Sequence, residues 1–176
     1  MPRWTPDGLK PTFKKDLSGL SSYSFNSSDG LDSNAFSSYI IEVTDVVPSV
    51  ALDFWARISG NTGTNYASLV EYRKSNASGG NFDSPNNTKV DLSVSGIDES
   101  GLGASGYIFV HLGSSAGNPR MFSELNYEDN SDFFTWVNTK AQLLVTGLAT
   151  SIDFLLSGAG TFTRGTLSFH GIRRIS

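Results

Sequence analysis

Apolar and polar side chains alternate one by one along most of the chain from Leu20 onward, most clearly in VALDFWARIS (50–59). Leu52, Phe54, Ala56 and Ile58 form one phase there, and Asp53, Trp55 and Arg57 the other. A period of two puts successive side chains on opposite faces of an extended backbone, so the segment predicts a strand with one dry face and one wet. The closing stretch GTFTRGTLSFHGIRRIS repeats the signal from Thr161, with Leu167 and Phe169 on one face and Phe162, Ser168, His170 and Ile172 on the other. A tail this regular is expected to be paired inside a sheet rather than frayed.

The same reading predicts strands at 21–25, 37–43, 66–74, 88–94, 106–113, 120–128, 132–138 and 151–158. Segments 60–65, 75–88 and 95–106 are rich in Gly, Ser, Asn and Asp and read as surface loops, the first as a hairpin loop. Gly147 interrupts the helical possibility in TKAQLLVTGLAT (139–150), which favours strand or turn. Leu52, Phe54, Ile58, Val110, Leu167 and Phe169 are the expected core. Short strands separated by turn signals predict an all-β fold, an antiparallel β-sandwich or jelly roll over residues 20–176. Residues 1–19 carry Pro2, Pro6 and Pro11 without either period and predict an extended N-terminal arm.

Composition narrows the functional classes. At 176 residues one core suffices, and with no cysteine there is neither a disulfide nor a thiolate metal site. No apolar run approaches the ~18 residues of a membrane-spanning helix, and the N-terminus lacks the apolar run of an export signal, so neither membrane nor export is expected. The net charge is −4, yet residues 1–19 hold Arg3, Lys10, Lys14 and Lys15 against Asp7 and Asp16, a local +2 that leaves −6 for the rest. A weakly basic arm on an acidic body argues against nucleic acid as a partner.

Candidate chemistry is sparse. His111 and His170 fall inside predicted strands at no metal-binding spacing, and no G-x-S-x-G elbow occurs. GNTGTN (60–65) precedes a strand rather than the helix that a phosphate loop needs. Glu128, Asp129 and Asp132 in NYEDNSD lack the alternation of a calcium loop and read as a solvated turn. Trp55, Trp136, Tyr72 and Tyr127 could form a platform for a sugar. No cofactor and no enzymatic activity are expected.

Three stretches, YIIEVTDVVPSVALDFWARIS (39–59), GYIFVHLG (106–113) and GTFTRGTLSFHGIRRI (160–175), together resemble the small jelly-roll structural proteins of tailed-bacteriophage virions. The likeness lies in two early strands flanking a Pro48 turn, a mid-chain strand after glycine, and a closing pattern held by Gly165, Leu167, Phe169, His170, Gly171 and Ile172. The loop after Ser59 departs from it, with GNTGTN where relatives often carry an acidic glycine-rich turn.

The resemblance implies a non-enzymatic virion component, a capsid decoration or cement protein or a head-fibre or tail-fibre domain. Its expected partners are the major capsid protein or other virion proteins and further copies of itself, most simply a trimer. The arm is the expected attachment device, with Trp4 and Phe13 as aromatic anchors and Arg3, Lys10, Lys14 and Lys15 meeting an acidic surface. A tail-fibre or tail-tip module binding a host surface glycan is the alternative.

Overall fold

The period-two runs fold into two antiparallel sheets packed face to face, in a computed structural model that describes residues 13–173. In chain order the strands are β1 (Phe13–Asp16), β2 (Ser22–Asn26), β3 (Phe36–Pro48), β4 (Phe54–Ile58), β5 (Tyr66–Lys74) and β6 (Gly79–Asn87). They continue with β7 (Val90–Asp91), β8 (Ala104–His111), β9 (Arg120–Glu128), β10 (Phe134–Leu143), β11 (Ser151–Leu156) and β12 (Phe162–Arg173). One sheet has eight strands in the order β1-β12-β3-β8-β9-β10-β5-β6, and the other has four in the order β2-β11-β4-β7. One short 3-10 turn, Ser27–Asp29, is the single helical element among the described residues.

The alternating residues explain the packing. Phe54, Ala56 and Ile58 of β4 and Ile152 and Phe154 of β11 are fully buried against Ile41, Ile108, Val110, Leu125, Val137, Leu167 and Phe169 of the larger sheet. Aromatic rings stitch the layers together. Phe25 of the small sheet stacks on Phe169 of the large one with centroids 4.0 Å apart, and Phe154 meets the same ring edge-on at 6.1 Å. Each such side chain contributes ~1.5–3 kcal/mol by leaving water, and the contacts fix how the sheets face each other. Of the expected core, Phe54, Ile58, Val110, Leu167 and Phe169 are inaccessible, while Leu52 is partly buried at the margin.

The closing strand is paired on both sides. Leu167 lies opposite Val43 of β3 and Lys15 of β1, and Phe169 lies opposite Ile41 and Phe13. Register shifts between Phe162, Arg164 and Thr166 change the phase, so Phe162 is buried although strict alternation puts it on the face opposite Phe169.

Several expectations are corrected by the sheet. Residues 13–19 are not free arm: β1 is a strand, Leu17 is fully buried, and its N–H donates to the Gly165 carbonyl at 3.0 Å. The short FKKDL run gave too few alternations to stand out beside the prolines before it. Segment 75–88 is not all loop, since β6 runs through it and pairs with β5. As an edge strand β6 needs only one neighbour's backbone, so turn-type residues are tolerated there. GNTGTN does not close a hairpin, because β4 and β5 belong to different sheets and the segment crosses between them. Tyr66 ties the crossing down: its hydroxyl accepts from the Ile58 N–H at 2.8 Å and donates to the Ile58 carbonyl at 3.1 Å.

Candidate functional site

The outer face of the eight-stranded sheet, turned away from the core, collects the chemistry-bearing side chains. Directly opposed residues in antiparallel strands share a face, so register alone maps the surface. One row across the sheet reads Ile40, Phe109, Phe122, Lys140, Leu69 and Asp83. The next reads Glu42, Tyr107, Glu124, Asn138 and Glu71. On the other side lies a row of His111, Arg120, Gln142 and Ala67.

Tyr107, Phe109, Phe122 and Trp136 thus gather around Glu124. The Trp136 Nε1–H donates to the Glu124 carboxylate at 3.1 Å, and the Phe109 and Phe122 rings lie 6.4 Å apart. Tyr107 is 60% exposed and Phe122 43%, a large apolar area to leave in water at the middle of a sheet. Beside them is an open cavity of about 450 Å³ over β5, β6, β9 and β10.

The expected sugar platform does not assemble. Trp55 belongs to the small sheet, and the Lys89 ammonium covers its ring at 3.9 Å. Tyr127 is fully buried, with its hydroxyl donating to the Val94 carbonyl and accepting from the Val94 N–H, both at 2.7 Å. Burial pushes that hydroxyl well above its ordinary pKa, so it stays neutral. Tyr72 packs against the core, and Trp136 alone of the four stands on the exposed aromatic face. Sequence reading missed Tyr107, Phe109 and Phe122, although one signal was available. GYIFVHLG and RMFSELNYE carry aromatic residues in the phase opposite their core residues, the mark of a strand with an apolar outer face.

The predicted attachment residues divide. Arg3, Trp4 and Lys10 lie outside the described residues. Phe13 is not a free anchor, because its place opposite Phe169 turns it inward, where its ring meets Phe25 at 5.8 Å, Phe169 at 6.0 Å and Tyr23 at 6.5 Å. Lys15 shares that phase and holds its ammonium 5.2 Å from the Tyr23 ring. Lys14, opposite Ser168, faces outward and is exposed.

The acidic turn is also different from its expectation. Asp129 is inaccessible rather than solvated, and its carboxylate pairs with Lys74 at 2.6 Å. It also accepts from the Ser131 N–H at 2.9 Å, the Phe133 N–H at 3.2 Å and the Thr135 hydroxyl at 3.2 Å. Burial raises its pKa, but Lys74 and the two N–H donors outweigh that and hold it below the ordinary carboxylate value. His111 and His170 sit on the two strands that flank β3, opposite Ser38 and Ile40 respectively. No group of three or more His, Cys, Asp or Glu able to hold a metal occurs among the described residues.

Comparison of the chain with protein-family models, with curated proteins and with solved structures gives no match.

Proposed function

We propose that this chain is a non-enzymatic structural protein of a bacteriophage particle, a jelly roll that decorates the capsid exterior and is held there by its N-terminal segment. The observation that carries the reading is the strand connectivity. With the β8–β9 hairpin and the flanking β1 and β12 set aside, the sheets read β2-β11-β4-β7 and β3-β10-β5-β6. The chain crosses between layers at almost every step, the path of two rolled Greek keys. Eight-stranded jelly rolls recur in viral capsid and lectin domains, and the step from that architecture to a virion is an analogy of fold.

Attachment falls to residues 1–12, which carry Arg3, Trp4 and Lys10, with Lys14 beside them. Deleting residues 1–12 should leave thermal stability nearly unchanged while removing the protein from purified particles, measured as copy number by quantitative mass spectrometry. Packaging of the truncated chain at wild-type copy number would refute attachment by this segment. The deletion must stop before Phe13, because removing β1 and Leu17 would unfold an end of the sandwich.

A second reading rests on a separate observation, the exposed cluster of Tyr107, Phe109, Phe122 and Trp136. Aromatic rings on an open sheet face suit the C–H faces of sugars, which favours a fibre or tip module binding a host surface glycan. Assembly as a trimer belongs to both readings, and light scattering after size exclusion tests it.

A further inference from the structure

We propose that the cavity over β5, β6, β9 and β10 is a subsite for a carboxylate-bearing sugar, of the uronic or sialic acid type. The inference rests on the glycan-binding reading and names the ligand class and the residues that select it. Two rows of the sheet define the site. Arg120 lies opposite Gln142 in one row, and Phe122, Lys140, Leu69 and Asp83 follow one another across four strands in the next. Neighbours within a row are about 5 Å apart and the rows are about 7 Å apart along each strand. The cavity's 450 Å³ falls within the roughly 300–1,000 Å³ of small-ligand sites.

Each part of the grid asks for a feature of the ligand. Phe122 and Leu69 are 43% and 42% exposed, an apolar floor suited to the C–H face of a pyranose ring. Arg120 and Lys140 lie on a diagonal of the grid, and neither side chain has a hydrogen bond or ion pair with another described residue. Within the cavity lining these two cations outnumber the single carboxylate of Asp83 and make a local positive spot, with Glu124 and Glu71 standing in the row beyond. The spot fits an anionic group that can lie between the cations. Gln142 and Asp83 offer an amide and a carboxylate to ring hydroxyls at either end.

Other anions fit less well. A phosphate cradle of converging backbone N–H groups is not on offer, because β5, β9 and β10 are internal strands with their backbone groups committed to the ladders. An added peptide strand would pair along the free edge of β6, not over the sheet face on which Phe122, Lys140 and Leu69 stand. The row beyond Phe122 holds Glu124 and Glu71, so repulsion there turns the ligand's carboxylate toward Arg120.

The test is isothermal titration of the full chain with tri-galacturonate and sialyllactose, against maltotriose and lactose as neutral counterparts. The carboxylated probes should bind at least tenfold more tightly, and the preference should shrink in high salt. R120Q combined with K140Q should bring them down to the neutral level, F122A should weaken both classes, and R73Q, on the same face outside the cavity, should change neither. Equal binding of both classes, or a preference that survives R120Q/K140Q, would overturn the subsite and leave the glycan reading standing. Failure of every sugar to bind would overturn both. Acetate or inorganic phosphate competing as strongly as the carboxylated sugars would reduce the site to a simple anion site and overturn the inference.

Discussion

Replacing Lys74 by methionine keeps most of the side chain's length and apolar stem but removes the cation that faces Asp129. The carboxylate would then be inaccessible to water with three neutral donors, Ser131 N–H, Phe133 N–H and Thr135 Oγ1–H, and no opposing charge. Stranding one partner of a buried pair costs about 3–5 kcal/mol, and the three remaining donors place this case near the lower end, about 3 kcal/mol. Acid should close the gap. In the wild type the Asp129 pKa is held below its unfolded value of about 3.9, so its stabilising effect is full above that pH and is lost as pH falls through the folded pKa. In K74M the cation no longer opposes burial, so the Asp129 pKa rises from its wild-type position and the variant is relieved at a higher pH than the wild type. Urea unfolding of both proteins from pH 7 down to pH 4 reads the difference directly. A loss below about 1 kcal/mol at pH 7, or one that does not change with pH, would refute the assignment of Lys74 as the ion that keeps Asp129 charged.

Other expectations concern the core and the backbone. Phe169→Ala empties the centre of the inter-sheet aromatic cluster and should cost ~3–5 kcal/mol in the same unfolding assay, whereas a loss under ~1 kcal/mol would mean that the rings do not hold the layers together. Gly106→Ala places a Cβ 2.1 Å from the Glu124 carbonyl oxygen at a residue with φ +148°. The backbone strain alone is worth about 1–3 kcal/mol, so the melting temperature should fall sharply, and an unchanged value would show that β8 and β9 can separate locally.

What was legible in the sequence was side-chain phase. Phe54, Ala56 and Ile58 could be assigned to the interior because each shares a face with its neighbours two residues away, a property of the strand itself. What was hidden depends on partners far along the chain. Asp129 reads as a turn acid until β5 brings Lys74 beside it, and Phe13 reads as a loose aromatic until β12 places Phe169 opposite. β6 has the composition of a loop, and only pairing with β5 makes GGNFDSPNN a strand. Each strand's outward phase shows its own aromatic residues, but their gathering into one platform depends on register, since Tyr107 and Phe109 come from β8, Phe122 from β9 and Trp136 from β10.

The placement of β12 between β1 and β3 also sets an order of events during synthesis. The Thr163 hydroxyl donates to the Val47 carbonyl across 116 residues of sequence, and Ser18 reaches Thr163 across 145. At the usual pace of translation, roughly 5–20 residues per second, the 116-residue separation takes roughly 6–23 s to bridge. During that interval β1 has no neighbour and one flank of β3 is open. A second nascent chain could supply the missing strand, so slow or crowded translation should favour strand-exchanged oligomers over the closed sandwich.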